Sequence, residues 1–310
     1  MKCKLIRFFI SFFVVVISFF NCKAQVVFPL KSSPNGHYLV DQNNKPFPIL
    51  GRTAWFIISQ PVEGYKTFIA NCVSHGCNSI EMHVLDHDPR GNHPPFNGNG
   101  DLPFQKCLDG SSWKGSLVYK DAKLEAPDLT VPNENYWRFV DTFLSYCASK
   151  GILIFFFPAY LGYDGGEQGW MQELIANGSD KTQTYGAWIA NRYKNQKNLV
   201  WMFLGDMGNF TEKQKDAEAA LIKGLKSIPH QQSIFYSAEA NGGQNSRDQI
   251  DFGNEMTLNG VYSWDKNIPA LGRKAYSQIP VMPSYLLEEP YDEEGPDGNS
   301  VNPNAIQPVR

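Results

Sequence analysis

Seven short apolar segments, most of them followed by a stretch of helical periodicity, constrain the fold of this chain more than any other feature. The clearest is ILIFFFP at residues 152–158, an uninterrupted apolar run typical of a strand buried on both faces. Strands that alternate with helices of about ten or more residues pair in parallel, because each helix returns the chain to the same end of the sheet. We expect strands at about 49–50, 78–85, 152–158, 199–204, 233–238, 258–262 and 281–287, and helices at about 62–75, 134–150, 182–193 and 212–227.

This alternation predicts an α/β fold, and seven such units favour a (β/α)8 TIM barrel over a doubly wound sheet. The Rossmann fingerprint and the phosphate-binding P-loop, which would favour the doubly wound sheet, are missing from the sequence. The length of 310 residues is near the ~250 residues typical of one barrel. Ahead of the first strand, residues 37–50 predict a small β-hairpin that turns at residues 42–44.

The beginning of the chain is typical of a secretory signal. Three basic residues precede an apolar run at 8–20 that is shorter than the ~20 residues needed to span a bilayer, and Ala24 offers a small residue before the expected cleavage site. We therefore expect residues 1–24 to be a signal peptide and residues 25–310 to form one exported domain with no membrane span. The alternative is a lipoprotein acylated at Cys22.

Export would permit disulfide bonds. Cys72, Cys77, Cys107 and Cys147 follow the predicted signal, and they are too few and too scattered for a disulfide scaffold. Cys72 and Cys147 fall on successive predicted helices and could meet, whereas buried free thiols are at least as consistent with the pattern. Their spacing fits no zinc site.

Net charge and aromatic content limit the classes of molecule that this chain is expected to bind. The formal net charge of −3 disfavours nucleic acid, because a mildly acidic surface repels a phosphate backbone. Aromatic residues make up 14% of the chain and fall largely near predicted loops. That distribution is as consistent with stacking on sugars as with filling a core.

Carboxylates follow two of the predicted strands at the point where each strand ends. Asp206 comes after the fourth strand, and Glu288 and Glu289 come at the end of the seventh. The active sites of barrels lie at the carboxyl ends of the strands, so these acids would face each other across the mouth. Paired carboxylates across a cleft are the groups that glycoside hydrolysis uses, with one as acid and the other as nucleophile or base. The alternative is a helix-terminal aspartate and a solvated acidic patch.

Three segments carry a family resemblance. NGHYLVDQNNKPFPILGRTAW, YGAWIANRYKNQKNLVWMFLGDMG and PSYLLEEPYDEEGP resemble, in this order, segments of the apiosidase-like glycoside hydrolases, and the similarity runs over about residues 35–310. The resemblance implies a bacterial, retaining barrel glycosidase. It implies that Asp206 is the acid/base and Glu289, the glutamate before proline, the nucleophile. A slip of one residue would exchange Glu289 for Glu288.

The chain departs from the family pattern at two points. Arg52 stands in GRTAW where the family usually has aspartate, and a guanidinium favours a carboxylate partner, so an acidic sugar such as a uronate or a salt bridge to a rim acid would explain it. The family also continues beyond residue 310, so we expect the eighth strand to be missing from this chain, as in a fragment or a truncated product.

Other residues near strand ends are candidates for substrate binding. His83 and His87 lie close in sequence to Asp86 and Asp88, a pattern that favours a sugar-binding histidine over a metal site, and Glu239 follows the fifth strand. The long Gly-, Asn- and Pro-rich segment 86–132 is expected to form part of the rim. The substrate-binding set is then Arg52, Trp55, His83, His87, Tyr160, Glu239, Tyr262 and Trp264.

The sequence therefore predicts an exported, monomeric, retaining glycoside hydrolase for a plant-type, pectic polysaccharide, with no cofactor and no metal. The carboxyl groups of such an enzyme lie about 5–5.5 Å apart. Two alternatives stay open: a carbohydrate-binding protein that has lost hydrolysis, which the truncation and Arg52 would both favour, and a polysaccharide lyase for uronates.

Overall fold

The structure, a computed structural model, describes residues 26–85, 95–116, 125–229, 234–263 and 267–289. The predicted signal segment 1–24, with Cys22, lies outside these residues, and so do the candidate binding residues His87 and Trp264.

The described residues form ten strands and five α-helices. The strands are β1 (Lys31–Ser32), β2 (Leu39–Val40), β3 (Gly51–Thr53), β4 (Ser79–His83), β5 (Leu153–Phe157), β6 (Leu199–Leu204), β7 (Phe235–Glu239), β8 (Gln244–Asn245), β9 (Asn259–Tyr262) and β10 (Ser284–Glu288). The helices are α1 (Val62–Ser74), α2 (Glu134–Ser149), α3 (Met171–Tyr193), α4 (Glu212–Lys226) and α5 (Ile268–Ser277).

Seven of these strands run parallel. Strands β3 to β7 form one sheet in chain order, and β9 pairs in parallel with β10 in a second sheet whose other edge is the short antiparallel strand β8. The backbone N–H groups of Thr257 and Leu258 both donate to the Tyr236 carbonyl, at 2.9 and 3.0 Å, and so connect the approach to β9 with β7. Every strand predicted from the sequence is present with its ends moved by a few residues, and the α/β class is confirmed.

Alternation along the strands separates two apolar clusters. On β5, Leu153, Phe155 and Phe157 face an inner cluster enclosed by the strands, whereas Ile154 and Phe156 face an outer cluster shared with the helices. The same division holds along most of the parallel strands, as expected when both faces of a sheet are covered. The inner face of each strand therefore leads to one shared mouth at the carboxyl ends.

The N-terminal segment closes the opposite end. Strand β1 pairs antiparallel with β2, which confirms a small hairpin, but this hairpin turns at residues 33–38, ahead of the turn that the sequence predicted. The predicted turn at residues 42–44 follows β2, with Asn44 in the left-handed region at φ +62° and an antiparallel bridge from Val40 to Pro46. Leu30, Leu39 and Phe47 from this segment pack into the inner cluster beside Leu153.

The helices form the outer layer. Asn133 caps α2 as predicted, its side chain accepting the Asn135 N–H at 3.2 Å. Helix α3 begins at Met171, well before the predicted 182, and is interrupted at Gly178, where φ is +69°. Among the described residues, no helix is both long and apolar enough to cross a membrane.

The described part of the long segment 86–132 packs against this outer layer. Phe104 and Trp113 are buried, and their rings contact the buried Trp170 at centroid distances of 5.9 and 6.4 Å. Trp137 and Tyr185 continue the same aromatic cluster. These aromatic residues fill a core, which settles for them the choice between packing and sugar stacking.

Candidate active site

The turn that follows β6 departs from ordinary backbone geometry. Leu204, Gly205 and Asp206 have φ angles of +66°, +119° and +54°. A branched residue such as leucine in the left-handed region is an outlier that persists only where the surrounding structure holds it, and such strain clusters at functional sites. Strict alternation from Val200 and Met202 would aim Leu204 into the barrel. Leu204 instead joins the outer cluster, and Asp206 takes the place at the mouth.

Two features of this turn require glycine at position 205: its positive φ angle, and the close approach of the Tyr160 ring to its Cα. A Cβ atom on Gly205 would lie 2.3 Å from Cδ2 of the Tyr160 ring. Its N–H donates to the Glu239 carbonyl at 3.1 Å, which continues the pairing of β6 with β7. The backbone of the turn therefore lies directly against Tyr160.

Two tyrosines hold the Asp206 carboxylate. The Tyr160 hydroxyl donates to Oδ2 at 2.7 Å, and the Tyr262 hydroxyl donates to Oδ1 at 2.9 Å. Tyr160 follows β5 and Tyr262 ends β9, so side chains from both sides of the barrel converge on one acid. Hydroxyl donors to both oxygens stabilise a carboxylate and fix its orientation.

The end of β10 carries a β-bulge. Leu286 pairs with Val261, but Glu288 pairs with the next residue of β9, Tyr262, so two residues of β10 stand opposite one step of β9. Because paired residues in neighbouring strands share a face, Glu288 lies on the inner face with Tyr262. Glu288 is 9% exposed.

Glu289 lies just past the strand and is half-buried. Tyr285 and Leu287 pack against the inner cluster, and an unbroken alternation from them would put Glu289 on that face. The bulge changes this register before the strand ends.

A glutamate that the sequence analysis did not single out joins the site. Glu81 lies on the inner face of β4, 8% exposed, and its Oε1 accepts the indole N–H of Trp55 at 3.0 Å. The signal for Glu81 was present in the sequence as a charged residue within the otherwise largely apolar strand segment NSIEMHVL. A buried acid in such a strand needs a partner or a proton.

Four acids therefore form one cluster: Glu81, Asp206, Glu239 and Glu288. Burial, and then the charges of Glu288 and Asp206, raise the pKa of Glu81 to about 8, against the opposing effect of the Trp55 hydrogen bond. Burial, and then the charges of Asp206, Glu81 and Glu288, raise the pKa of Glu239 well above its usual range. Glu81 and Glu239 therefore hold protons near neutral pH.

Stacked rings line the wall between Glu81 and Asp206. The His83 ring lies parallel to that of Tyr160 at a centroid distance of 4.0 Å and to that of Trp55 at 6.0 Å. Burial, followed by the charges of Glu239 and Asp206, raises the pKa of the Tyr160 hydroxyl, which therefore stays a donor. Trp55, half-buried, is the member of the stack that remains open to a ligand.

The structure does not bring Arg52 to this cluster. Arg52 pairs with Ile80, a residue of the outer cluster, and its Nη1 donates to Asn71 Oδ1 on α1 at 2.7 Å. The binding of an acidic sugar by Arg52 stays a prediction, and the hydrogen bond of Arg52 to α1 gives that prediction no support. The inner position on that strand belongs to Thr53, opposite Glu81.

The described cysteines and acids add no covalent link or metal centre. Cys72, Cys77, Cys107 and Cys147 are free thiols, and burial followed by the charge of Cys72 raises the pKa of Cys147. Within the described ranges, no group of three or more His, Cys, Asp and Glu side chains is arranged to hold a metal ion. The aspartates that flank His87 lie outside those ranges.

Comparison with known proteins gives a family and a set of structural neighbours. The model of the apiosidase-like catalytic domain matches residues 33–308. A glycoside hydrolase family 5 structure from Bacteroides vulgatus ATCC 8482 superposes with a TM-score of 0.61 at 18% identity, over 87% of this chain and 56% of that one. A second glycoside hydrolase gives a TM-score of 0.62 at 19% identity, over 87% of this chain and 59% of that one.

These neighbours establish the fold. A further putative glycoside hydrolase of Bacteroides vulgatus ATCC 8482 has a TM-score of 0.58 at 15% identity, over 83% of this chain and 47% of its own. The chain thus spans between about half and three fifths of the length of these structures. Among curated proteins, no sequence matches it significantly. The predicted (β/α)8-barrel class is confirmed by the neighbours, with seven of the parallel strands inside the described residues.

Proposed function

The chain belongs to the family of apiosidase-like catalytic domains, and from that membership we propose that it is a retaining glycoside hydrolase in which Asp206 and Glu288 do the chemistry. The observation that carries this proposal is the convergence of Asp206 and Glu288 on one cluster, where both act on the ionisation of Glu239 and Glu81. They come from the ends of β6 and β10, the fourth and seventh parallel strands.

The reaction needs two steps. Glu288 attacks the anomeric carbon as a carboxylate while the bond from that carbon to the leaving oxygen breaks, and Asp206 gives its proton to that oxygen. Water then attacks the glycosyl ester, Asp206 takes the proton from the water, and the bond to Glu288 breaks. Tyr160 and Tyr262 fix the orientation of the Asp206 carboxyl group through one hydrogen bond to each of its oxygens.

Glu288 is preferred over Glu289, the nucleophile that the family resemblance implies. The bulge in β10 and the burial of Glu288 support this choice, since the charge of Glu288 contributes to raising the pKa values of Glu81, Glu239 and Tyr160. Glu289 remains the alternative, and a direct comparison of the two glutamine variants decides between them.

The proposed substrates are pectic polysaccharides that carry apiosyl side chains, on the strength of the family description. Trp55 is suited to stack on a sugar face, and His83 and Glu239 are suited to hold its hydroxyls. The case for a uronate lost its support with the position of Arg52. Export under the signal at residues 1–24, with the lipoprotein at Cys22 as the alternative, completes the proposal.

The test is turnover on a defined panel. The purified chain is incubated with pectin fractions that carry apiosyl side chains and with fractions from which these have been removed by acid. Released sugar is followed by anion-exchange chromatography, and the configuration of the first product by proton NMR. We expect sugar from the first set alone, with retained configuration, and none from the Glu288→Gln variant.

Two results would count against the proposal in different ways. An inverted first product would remove the covalent role of Glu288 and leave hydrolysis in place. Retardation in affinity electrophoresis without any product would instead support the carbohydrate-binding alternative.

A further inference from the structure

Helix α4 carries a glutamate where its packing face should be apolar. Glu218 is completely buried, among Ala217, Leu221 and Leu225 on the face that covers the barrel. Acidic residues are almost never fully buried unless they are paired. Within the described residues Glu218 has no ion-pair partner, so its burial calls for another reason.

The partner of Glu218 is a backbone group in the strained turn. Its Oε1 accepts the N–H of Leu204 at 3.2 Å. Leu204 is the residue at φ +66° with which the left-handed turn begins, two positions before Asp206. A buried N–H that leaves the sheet must find another acceptor, and the helix supplies one from outside the barrel.

This bond matters because the neighbouring backbone groups of the turn are fixed by other elements. The Leu204 carbonyl accepts the Leu161 N–H at 3.0 Å, and Gly205 donates to the Glu239 carbonyl at 3.1 Å. With both of those bonds in place, the orientation of the peptide between Phe203 and Leu204 decides whether the turn stays left-handed. Glu218 is the side chain that holds this peptide.

We propose that Glu218 is a positioning residue for the acid/base Asp206: its hydrogen bond to the Leu204 N–H holds the left-handed turn that aims Asp206 at Tyr160 and Tyr262. The inference rests on the proposed role of Asp206. Glu218 lies behind the strand, on the helix side, and touches neither the substrate nor the reacting atoms.

The protonation of Glu218 is compatible with this role. Burial raises the pKa of Glu218 to about 7, although the Leu204 N–H acts in the opposite direction. Oε2 is buried and has no hydrogen-bond partner among the described residues. A neutral carboxylic acid places its proton there and keeps Oε1 as the acceptor. Glutamine, which is neutral and of the same shape, retains that acceptor.

The experiment compares three variants of the full chain. Glu218→Leu removes the acceptor and Glu218→Gln keeps it. Leu225→Ala lies two turns further along the same buried face and lowers stability without touching the turn. Each is assayed for kcat and KM on the apiosyl pectin fraction and on an aryl apioside with a 2,4-dinitrophenolate leaving group, which departs without a proton.

We expect Glu218→Leu to lower kcat on pectin by about 10-fold or more with KM within about 3-fold of wild type, because the acid is misaligned and binding is intact. On the dinitrophenyl substrate the rate of the first step, the transfer of the glycosyl group to the enzyme, should be close to that of the wild type. Glu218→Gln should restore turnover on pectin. Equal losses of kcat in Glu218→Leu and Leu225→Ala, or in Glu218→Leu and Glu218→Gln, would overturn the proposal.

Amide hydrogen exchange tests the same hydrogen bond without depending on turnover. The Leu204 and Gly205 amides should be protected in wild type and in Glu218→Gln, and should exchange faster in Glu218→Leu than in Leu225→Ala. Wild-type exchange in Glu218→Leu would overturn the proposal whether or not the chain hydrolyses any glycoside. Absence of turnover in the wild type, with altered exchange, would count against the proposed function and remove Asp206 as the group being positioned.

Discussion

The ends of β6 and β10 deliver their carboxylates to the same cluster by different means. At β6 the chain passes through three successive residues of positive φ, which turn Leu204 outward and bring Asp206 to the mouth. At β10 the φ angles are ordinary for non-glycine residues, and a bulge opposite Tyr262 turns Glu288 inward instead. One end is aimed by backbone conformation and the other by register.

The difference affects how each end tolerates change. The left-handed turn after β6 depends on several parts: Leu204, the glycine at its centre and helix α4 behind it. Substitutions at these parts should therefore misplace Asp206 to different degrees and lower activity by different amounts. A bulge selects one of two adjacent residues, so a change there should act as a choice between Glu288 and Glu289. The two ends are therefore separable by mutation.

The largest expected effect is at β10. Glu288→Gln should lower kcat/KM by about 10⁴-fold or more, because the variant loses the nucleophile, whereas the adjacent Glu289→Gln should cost less than about 10-fold. Steady-state assays on the apiosyl pectin fraction measure both. If Glu289→Gln carries the large loss, the bulge does not select the nucleophile and the family assignment of Glu289 stands.

At β6 the effect should depend on the substrate. Asp206→Asn should lower kcat by about 10²–10⁴-fold on a sugar leaving group, the usual worth of a general acid or base. With a dinitrophenyl leaving group the first step should recover and the second stay slow, so a burst of dinitrophenolate should appear. Asp164, an exposed acid in the neighbouring loop, provides the control as Asp164→Asn. The same loss on both substrates would remove the acid role.

Replacing Gly205, the central residue of the turn after β6, should lower the stability of the protein as well as its activity. Gly205→Ala meets the Tyr160 ring and keeps a positive φ, so we expect a loss of about 3 kcal/mol in the free energy of unfolding. Gly76, at φ +82° with nothing within 4 Å of an added Cβ, isolates the conformational cost, and Gly76→Ala should lose about 1 kcal/mol. Urea denaturation measures both. Equal losses would mean that Tyr160 yields to the added atom.

The layout of the barrel could be predicted from the sequence because it depends on periodicity. The buried strand at 152–158 and the capped helix after Asn133 appear nearly where apolar pattern and capping place them. Asp206 and the Glu288–Glu289 pair could be found by counting strands to their carboxyl ends. These features need only local pattern and the general rule that parallel strands end at one edge.

The orientation of individual side chains could not be predicted in the same way. Alternation read through residues 285 to 289 aims Glu289 inward, and only the pairing with Tyr262 reveals the bulge. Arg52 occupies a family motif, but its register beside Ile80 directs it outward. Glu218 looks like one more polar helix residue until α4 is placed against the β6 turn. Each of these outcomes is fixed by a contact between elements distant in sequence.

The smallest expected effect is a change in the pKa values of Glu81 and Glu239, the buried acids next to the two strand ends. Glu81 is influenced more by Glu288 than by Asp206, whereas for Glu239 the charge of Asp206 comes first. Removing the charge of Glu288 in the Glu288→Gln variant should therefore lower the pKa of Glu81 from about 8, and by more than Asp206→Asn does. Glu239 should respond in the reverse order, because each removed charge favours ionisation of the acid nearest to it. Carbon-13 NMR titration of side-chain carboxyls in the two variants gives all four shifts. An identical response of both acids to both variants would mean that the four carboxyls titrate as one undivided group, and the separation of the two ends would then be limited to geometry.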